Sequence, residues 1–353
     1  MKIQKYHILG VMSGTSLDGI DVAELFLSVR EDGKWDYKFG KAETIAYSVI
    51  WKERLQKAVA YSTEALSVLN NEYTVYLAEV ISTFITKNQI QSLDAVCSHG
   101  HTILHQPEKG ITLQIGNLSA LAKRIKQIVV CDFRVQDVDL GGQGAPLVPI
   151  GDLLLFSEYD YCLNLGGFAN VSLKKNGKRI AYDICPVNIV LNTYAERLGV
   201  PFDEDGKLAK NGTLLLIKSA QLQALPYYKL QAPKSLGLEW VQKEVVPILE
   251  ATYARPEDSL RTFTDHAAHQ IARQFKKGSK VLVTGGGAYN SYLLQQIKKH
   301  KKVTLLVPNT DLLEYKEALI FGLLGVLKLR GEVNCLASVT GAARDHSSGL
   351  VFK

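Results

Sequence analysis

The sequence predicts an α/β protein built from two similar halves. Apolar runs typical of buried strands alternate with segments whose apolar residues recur at helical spacing. Residues 7–12 form such a run, followed by a turn of small and hydroxyl residues and a returning strand. Residues 161–165 repeat this design through Gly166 and Gly167. We therefore expect a duplicated mixed sheet, with a cleft between two domains in which a nucleotide is held from both sides.

Length and composition are typical of a soluble globular protein. The chain has 353 residues, of which 46% are hydrophobic and 22% are charged, which suggests two domains. The net charge is +6, and lysine clusters at residues 174–179 and 298–302 lie between strand-like runs. We interpret these clusters as solvated turns and expect no nucleic-acid partner.

Cysteine spacing and hydropathy indicate the compartment. The five cysteines are scattered and include no Cys-x-x-Cys pair, which predicts a reduced intracellular protein without a disulfide framework or zinc site. No apolar run reaches the length of a membrane span, and no basic and apolar leader opens the sequence. We expect a cytoplasmic protein with no membrane partner, and the oligomeric state, a homodimer included, is left open.

The first turn, residues 13–19, has the composition of a phosphate-binding loop. Glycine lets the backbone approach a ligand closely, and the hydroxyls of Ser13, Thr15 and Ser16 add to the backbone N–H donors. The lysine and the helix of a P-loop are both missing from this segment. An ordinary hairpin turn rich in glycine and serine is the alternative.

Histidines follow the next predicted strand. A helix with a serine N-cap is predicted at residues 62–87, and a short buried strand at residues 94–98. Polar residues where a parallel strand ends are typical of ligand sites in α/β sheets, and this end carries His99, His101 and His105. A metal site is one interpretation. A hydrogen bond to a sugar or phosphate oxygen is favoured, because no carboxylate or cysteine accompanies the histidines.

A long polar loop at residues 132–146 is the second candidate site. It follows a helix predicted at residues 119–125 and a strand at residues 128–131. Loops that carry arginine, aspartate, glutamine and several glycines on a rigid scaffold are typical recognition elements, and this one includes Arg134 and Gln143. A plain linker between the two halves is the alternative.

The second half contains a further hairpin and a third glycine motif. Its strand at residues 179–183 ends in Asp183, and a helix is predicted at residues 189–198. The strand at residues 280–284 runs into three consecutive glycines before another helix. Glycine there would let a flat group such as adenine or ribose lie against the backbone.

These motifs carry a family resemblance. Their order resembles the sugar kinase, Hsp70 and actin superfamily, and more narrowly the anhydro-N-acetylmuramic acid kinase family. The resemblance extends from residue 10 to beyond residue 340, and it is carried by the Gly-Val-Met-Ser-Gly-Thr-Ser-Leu-Asp-Gly block at 10–19, Ser-His-Gly-His-Thr at 98–102, Asp-Phe-Arg at 132–134, Gly-Gly-Gln-Gly-Ala-Pro-Leu-Val-Pro at 141–149, Leu-Gly-Gly-Phe-Ala-Asn at 165–170 and Val-Thr-Gly-Ala at 339–342.

The resemblance implies an α/β two-domain actin-like fold and a phosphotransferase. Its domains would be residues 1–133 plus 325–353, because the closing apolar helix returns to the first half, and residues 134–324. The enzyme would use ATP, Mg²⁺ and water to open the 1,6-anhydro bridge of anhydro-N-acetylmuramic acid. It would release N-acetylmuramic acid 6-phosphate and ADP during cell-wall recycling.

The chemistry needs a base for the attacking water, because an anhydro sugar has no free 6-hydroxyl. Asp183 is our candidate, in line with the family's catalytic aspartate, and a helix N-cap is the alternative. The nucleotide residues would be Gly14, Thr15, Ser16, Leu17, Asp18, Gly19, Ile20, Asp21, Gly166, Gly167, Asn170, Gly285, Gly286 and Gly287. Asp18 or Asp21 would contact Mg²⁺ through water.

The sugar residues would be His101, Arg134, Gln143 and Glu317. Arg134 would bind a carboxylate such as the lactyl group through two parallel hydrogen bonds. Glu317 is predicted to begin a helix, where complementing the helix dipole is the alternative role.

One segment departs from the family pattern. The family reads Asp-Thr-Gly-Pro-Gly-Asn where this chain has Ile184, Cys185 and Val187 in place of threonine and the two glycines. The bulkier Cys185 and Val187 are expected to narrow the pocket or to alter how the start of the helix meets a phosphate or sugar, which leaves the exact sugar open. A kinase for another amino sugar and a non-catalytic nucleotide-dependent binding protein are the alternative functions.

Overall fold

The computed structural model describes residues 3–353 and divides the chain into two compact units. Unit 1 comprises Met1–Leu155 with Tyr315–Lys353, and unit 2 comprises Phe156–Glu314. This division assigns residues 134–155 and 315–324 to unit 1, whereas the sequence prediction assigned them to the second domain, and the domain boundaries stay a prediction. The cleft stays a prediction.

Unit 1 is built on a mixed sheet. Its strands are β1 (Ile3–Ser13), β2 (Gly19–Arg30), β3 (Trp35–Ala46), β4 (Ala95–Gln106), β5 (Ile111–Ile115), β6 (Val129–Cys131) and, at the end of the chain, β12 (Leu350–Phe352). The order is β12-β6-β4-β1-β2-β3, with β5 paired to β4. The strands β1, β2 and β3 form an antiparallel meander, and β4 and β6 continue parallel to β1.

Unit 2 repeats this arrangement with a smaller sheet. Its strands are β7 (Tyr161–Leu165), β8 (Phe168–Lys175), β9 (Lys178–Pro186), β10 (Lys280–Thr284) and β11 (Thr304–Leu306). The order is β11-β10-β7-β8-β9, again an antiparallel meander followed by strands parallel to the first. The shared strand order confirms the predicted duplication of a mixed sheet.

Helices pack against both sheets. Those of unit 1 are α1 (Val49–Lys57), α2 (Thr63–Lys87), α3 (Ala120–Ile125), α4 (Val135–Asp139) and α5 (Pro149–Leu155). Those of unit 2 are α6 (Asn188–Glu196), α7 (Lys207–Asn211), α8 (Leu216–Ala224), α9 (Leu238–Trp240), α10 (Val246–Glu250), α11 (Pro256–Arg273) and α12 (Ser291–His300). Helix α13 (Thr310–Leu329) crosses the division between the units, and α14 (Ala337–Thr340) lies in unit 1.

Several predicted elements have the expected bounds. The serine N-cap of α2 is Ser62, whose hydroxyl accepts a hydrogen bond from the N–H of Ala65 at 3.3 Å. This bond satisfies one of the free N–H donors of the first helical turn. Strand β10 has the predicted residues. Among the described residues, no helix combines the length and apolar character that crossing a membrane would need.

Three predicted element ends were wrong. Strand β4 does not stop before the histidines, because pairing with β5 carries it to Gln106. Strand β9 continues beyond Asp183 to Pro186, so this aspartate lies inside a strand. Helix α13 begins well before Glu317, at Thr310, and has non-helical dihedral angles only at Tyr315 (φ −109°, ψ 18°).

Glycines allow α13 to pack closely on the sheet of unit 1. A Cβ atom at Gly322 would lie 2.6 Å from Leu25 Cδ1. Added Cβ atoms at Gly10 and Gly325 would come closer than 3.0 Å to Ala318 O and Cys97 Sγ, respectively. Since real Cβ atoms essentially never approach so closely, larger side chains there would force the helix off the sheet.

The contact between α5 and α13 gives a stability test. A Cβ atom at Gly151 would overlap Ile320 Cδ1 and lie 3.0 Å from Cγ1 and Cγ2 of the same side chain. We expect Gly151→Ala to lower the free energy of unfolding by about 1–3 kcal/mol, the usual cost of overpacking. Ile320→Val removes Cδ1, so the double variant should be more stable than the sum of the single effects predicts. Urea unfolding of the four proteins measures this coupling, and strictly additive effects would contradict it.

Candidate functional site

The turn between β1 and β2 presents donors to solvent. Thr15, Ser16 and Asp18 are exposed, and Leu17 adopts φ +61°, with its N–H bonded to Gly14 O at 3.3 Å. Added bulk at Gly14 would meet only Ser16 Oγ, at 3.6 Å. The turn is therefore open on the side where a ligand would bind.

The other residues predicted for this turn, Gly19, Ile20 and Asp21, are less accessible to a ligand because they lie in strand β2. The side chain of Ile20 is fully buried in the core of unit 1, which leaves only its backbone for a ligand. The carboxylate of Asp21 accepts a hydrogen bond from the Thr44 hydroxyl at 2.6 Å. Gly19 begins β2, where a Cβ atom would lie 2.5 Å from Ile45 O. Asp18 is thus the more accessible of the two carboxylates.

A chain of hydrogen bonds ties this turn to the histidine-bearing strand. Ser13 Oγ lies 2.7 Å from His101 Nδ1 and 2.6 Å from the hydroxyl of Tyr47, which in turn contacts Tyr73 Oη at 2.6 Å. Burial lowers the pKa of His101 to about 4. The ring is therefore neutral near pH 7, and it acts as a hydrogen-bonding group rather than a cation.

The histidines do not form a common metal site. The ring of His99 accepts a hydrogen bond from Arg134 Nε at 2.8 Å, whereas His105 Nδ1 lies 3.1 Å from the hydroxyl of Thr112. Burial and the positive charge of Arg134 hold the pKa of His99 well below its usual range. The metal interpretation of these histidines is therefore wrong, and each ring has a separate hydrogen-bonding role.

The loop at residues 132–146 is held in place and is not a plain linker. Arg134 Nη1 donates to Gly144 O at 2.6 Å, and the N–H of Gly144 donates to the buried carboxylate of Asp137 at 2.7 Å. The side chain of Gln143 is exposed, while its backbone N–H bonds to Thr340 O at 2.8 Å. Residues 135–139 form helix α4 instead of irregular loop.

Helix α13 adds charged residues to unit 1, which also contains the loop at residues 132–146. Glu317 is exposed, and its neighbour Lys316 forms a buried ion pair with Asp152 at 2.7 Å. Burial lowers the pKa of Arg134 to about 10, and the negative charge of Glu317 opposes this effect. Arg134 therefore remains a cation near pH 7, within the electrostatic influence of Glu317.

In unit 2 the glycine turn supports the start of α6. The carbonyl of Gly167 accepts hydrogen bonds from the N–H groups of Val187 and Ile189 at 2.8 and 3.3 Å, and Gly166 O accepts from Asn188 at 3.3 Å. Gly167 is exposed. The N-cap position of α6 is Val187, which makes no side-chain cap bond, so the N-cap alternative for Asp183 was wrong.

The three consecutive glycines have different roles. A Cβ atom at Gly285, which has φ +81°, would lie 2.6 Å from Asn164 Oδ1, and one at Gly287 would lie 2.8 Å from Leu165 Cβ. These two glycines are needed for packing against β7. Gly286 is exposed, and its nearest neighbour would be Asn188 Nδ2 at 3.9 Å. Only Gly286 therefore offers open backbone to a flat ligand.

Asp183 is half-buried in β9, opposite Asn170 of β8, and is fixed by a distant segment. Its Oδ2 accepts a hydrogen bond from the N–H of Leu236 at 2.9 Å, and its backbone carbonyl accepts one from the Tyr227 hydroxyl at 2.7 Å. Burial raises the pKa of Asp183, and the Leu236 N–H opposes this shift. Sequence reasoning missed both partners, because neither belongs to a motif.

The substituted residues after Asp183 do not line an open surface. Ile184, Cys185 and Val187 are at most 1% exposed and belong to the hydrophobic core of unit 2. The expectation that they narrow a pocket was therefore wrong, since their added volume is accommodated inside the core.

The fold and the site define a class of protein. Two copies of one mixed sheet, each opened by a glycine-turned hairpin, form the duplicated α/β architecture that the resemblance predicted. The model of the anhydro-N-acetylmuramic acid kinase family matches residues 6–353. The chain belongs to this family.

Curated relatives have the same family name, and they match this chain over nearly its whole length. Anhydro-N-acetylmuramic acid kinase of Mannheimia succiniciproducens is 32% identical over 99% of this chain and 100% of its own. The Francisella tularensis subsp. novicida protein is 32% identical over 95% and 96%, and the Methylorubrum populi protein 33% over 97% and 98%.

The buried neutral histidine beside the first turn predicts acid lability. A histidine whose pKa is lower in the folded than in the unfolded state contributes stability above pH 6.5, and this is lost as the pH falls toward the folded value. For His101, with a folded pKa of about 4, the loss between pH 6.5 and pH 4 amounts to ~3 kcal/mol. Urea unfolding at several pH values should show a shallower pH dependence in His101→Gln. His300→Gln, at a surface position, is the control, and equal pH dependence in wild type and His101→Gln would contradict the assignment.

Proposed function

We propose that this protein is an ATP- and Mg²⁺-dependent kinase acting on 1,6-anhydro-N-acetylmuramic acid. It hydrolyses the anhydro bridge and phosphorylates O6, so that the products are N-acetylmuramic acid 6-phosphate and ADP. Membership of the family supports this activity. The observation that carries the mechanism is the position of Asp183, a half-buried carboxylate with one oxygen fixed by a backbone N–H.

The nucleotide would bind through open backbone and hydroxyl groups. In unit 1 these are backbone N–H groups of the turn between β1 and β2, other than that of Leu17, and the exposed hydroxyls of Thr15 and Ser16. In unit 2 the donors are the Gly166 and Gly167 turn and the backbone at Gly286. Phosphate oxygens accept such bonds readily, and glycine permits the close approach that they require.

A divalent cation fits the first turn. Mg²⁺ prefers oxygen ligands and keeps several of its waters, so an exposed carboxylate such as Asp18, with Asp21 nearby in sequence, can hold it through water. When bound, the ion neutralises charge on the phosphate oxygens.

Arg134 can still bind a sugar carboxylate. A guanidinium carries five N–H donors, and the described contacts of Arg134 use one on Nε and one on Nη1. The remaining donors on Nη1 and Nη2 lie at the end of the group and suit a two-point contact with a carboxylate such as the lactyl group. His101, Gln143 and Glu317 would add hydrogen bonds to sugar oxygens.

The reaction needs one proton transfer and two bond exchanges. Water attacks C1 as the bond between C1 and O6 breaks, and Asp183 takes the proton of this water. The released O6 attacks the γ-phosphorus, and ADP leaves. The N–H of Leu236 donates to one carboxylate oxygen, and the other accepts no hydrogen bond among the described residues. Burial raises the pKa of Asp183, which makes its carboxylate a stronger base.

An isotope experiment tests the activity directly. The protein is incubated with ATP, Mg²⁺ and anhydro-N-acetylmuramic acid in ¹⁸O water, and the sugar phosphate is analysed by mass spectrometry. Label at C1 of a 6-phosphorylated product is expected. Phosphorylation of a different amino sugar with no turnover of this one would favour the related kinase. The absence of any sugar phosphorylation would favour a nucleotide-dependent binding protein.

Asp183→Asn tests the base. We expect turnover to fall by at least about 100-fold, because loss of a general base typically costs that much. ATP affinity, measured by calorimetry, should change little. The variant should remain folded. A carboxyl group whose pKa is higher in the folded than in the unfolded state lowers the stability of the protein as the pH rises, so at pH 7 the variant should be no less stable than wild type. Retained turnover in a folded variant would remove Asp183 from this role.

Two neighbouring glycines separate binding from folding. Gly286→Ala should weaken ATP binding while leaving the melting temperature nearly unchanged, because its added methyl group meets no atom closer than 3.9 Å. Gly287→Ala should lower the melting temperature, because its methyl group would collide with Leu165. Calorimetric ATP titration and thermal unfolding of both variants measure this. Unchanged ATP affinity in Gly286→Ala would exclude this backbone from the nucleotide site.

A further inference from the structure

A buried cluster in unit 1 contains three side chains that commonly bind metals. Asp137 of α4 meets Cys335 and His346 from the segment that follows α13. One ligand atom from each of them lies within 4.8 Å of the others, and all three residues are buried. Within residues 3–353 this is the one group of at least three histidine, cysteine or acidic side chains with such geometry.

The histidine of the cluster has an unused nitrogen. His346 Nδ1 lies 3.1 Å from the carbonyl oxygen of Arg344, and a carbonyl can only accept, so Nδ1 carries the hydrogen. Nε2 is buried and has no hydrogen-bond partner. It lies 3.5 Å from Asp137 Oδ1. A cation bound at this point would interact with both the imidazole nitrogen and the carboxylate.

We propose that Asp137, Cys335 and His346 form a binding site for Zn²⁺. Thiolate sulfur, imidazole nitrogen and carboxylate oxygen are the ligands that this ion prefers. A three-ligand set leaves the fourth tetrahedral position to water or to the neighbouring hydroxyl of Thr340. Ions such as Mg²⁺ and Ca²⁺ prefer oxygen alone and would be disfavoured by the cysteine.

The surrounding backbone holds the three ligands in place. Residues 335 and 346 form an isolated β-bridge, with N–H to carbonyl distances of 3.1 and 3.2 Å. The carboxylate of Asp137 accepts hydrogen bonds from the Thr340 hydroxyl at 2.7 Å and from the N–H of Gly144 at 2.7 Å. Partners of this kind, including the carbonyl at His346 Nδ1, are typical of the groups that orient metal ligands.

Binding exchanges one proton for one metal ion. In the metal-free protein the Cys335 thiol donates to Asp137 Oδ1 at 3.0 Å. Zn²⁺ would take the position of this hydrogen, and the proton would leave to solvent. Because the thiol must lose its proton when the ion binds, the apparent affinity should increase with pH.

The ion would join the glycine-rich loop to the end of the chain. Asp137 holds Gly144, whose carbonyl in turn accepts the bond from Arg134. Cys335 and His346 belong to the C-terminal segment, which meets the loop through Gln143 and Ala343. The consequence is a structural site, which stabilises this part of unit 1 whatever the substrate of the protein is.

The test uses Zn²⁺ and, as a spectroscopic probe, Co²⁺. Metal-free protein titrated with Co²⁺ should bind one equivalent and develop the near-ultraviolet absorption of a thiolate–cobalt bond, and Zn²⁺ should displace it. His346→Gln should weaken binding by at least about 100-fold. His300→Gln is the matched control, because His300 lies 3.3 Å from Asp265 as a histidine–aspartate pair outside the cluster.

The rate at which the five buried cysteines are alkylated supplies a second measurement on the wild-type protein. Zn²⁺ should slow alkylation of Cys335 more than that of the other buried cysteines, as peptide mass spectrometry would show. Binding that His346→Gln leaves unchanged, a cobalt complex without the thiolate band, or equal protection of all five cysteines would overturn the proposal.

Discussion

The close packing of α13 on β1 is the constraint on which the rest of unit 1 depends. Glycine at position 10 of the strand and at positions 322 and 325 of the helix removes the side chains that would separate the two elements. At this short distance the helix places Lys316 against Asp152 and Phe321 under the rings of His99 and Phe133. Arg134, which contacts both His99 and the ring of Phe321, is therefore positioned by the close backbone contact between α13 and β1.

Much of the fold could be predicted from local patterns. Helix α2 shows its apolar spacing and its cap, and the two hairpins show their glycine turns, because these signals lie within a few neighbouring residues. The ends of β4 and β9 could not be predicted in this way. Their extent depends on pairing with strands whose register is set by tertiary contacts. The beginning of α13 was missed because the continuous apolar stretch that is visible in the sequence starts only at Ala318.

The sequence predicts which residues form the candidate site, but it does not predict their pKa values or protonation states. The neutral state of His101 and the raised pKa of Asp183 follow from burial and from partners such as Leu236, which lies far along the chain. The cluster of Asp137, Cys335 and His346 was also missed, because the sequence argument against a zinc site considered only the spacing of the cysteines. Only the folded chain brings these three together.

The hydrogen bonds that Gly166 and Gly167 accept from α6 have a consequence for anion recognition. The amino end of a helix normally attracts phosphate through its unpaired N–H groups. Here the N–H groups of residues 187–189 are already occupied by the carbonyls of the turn, so the positive pole of α6 is closed. Any anion that binds next to this turn would therefore have to be held by short-range contacts with the turn itself rather than by free N–H groups of the helix.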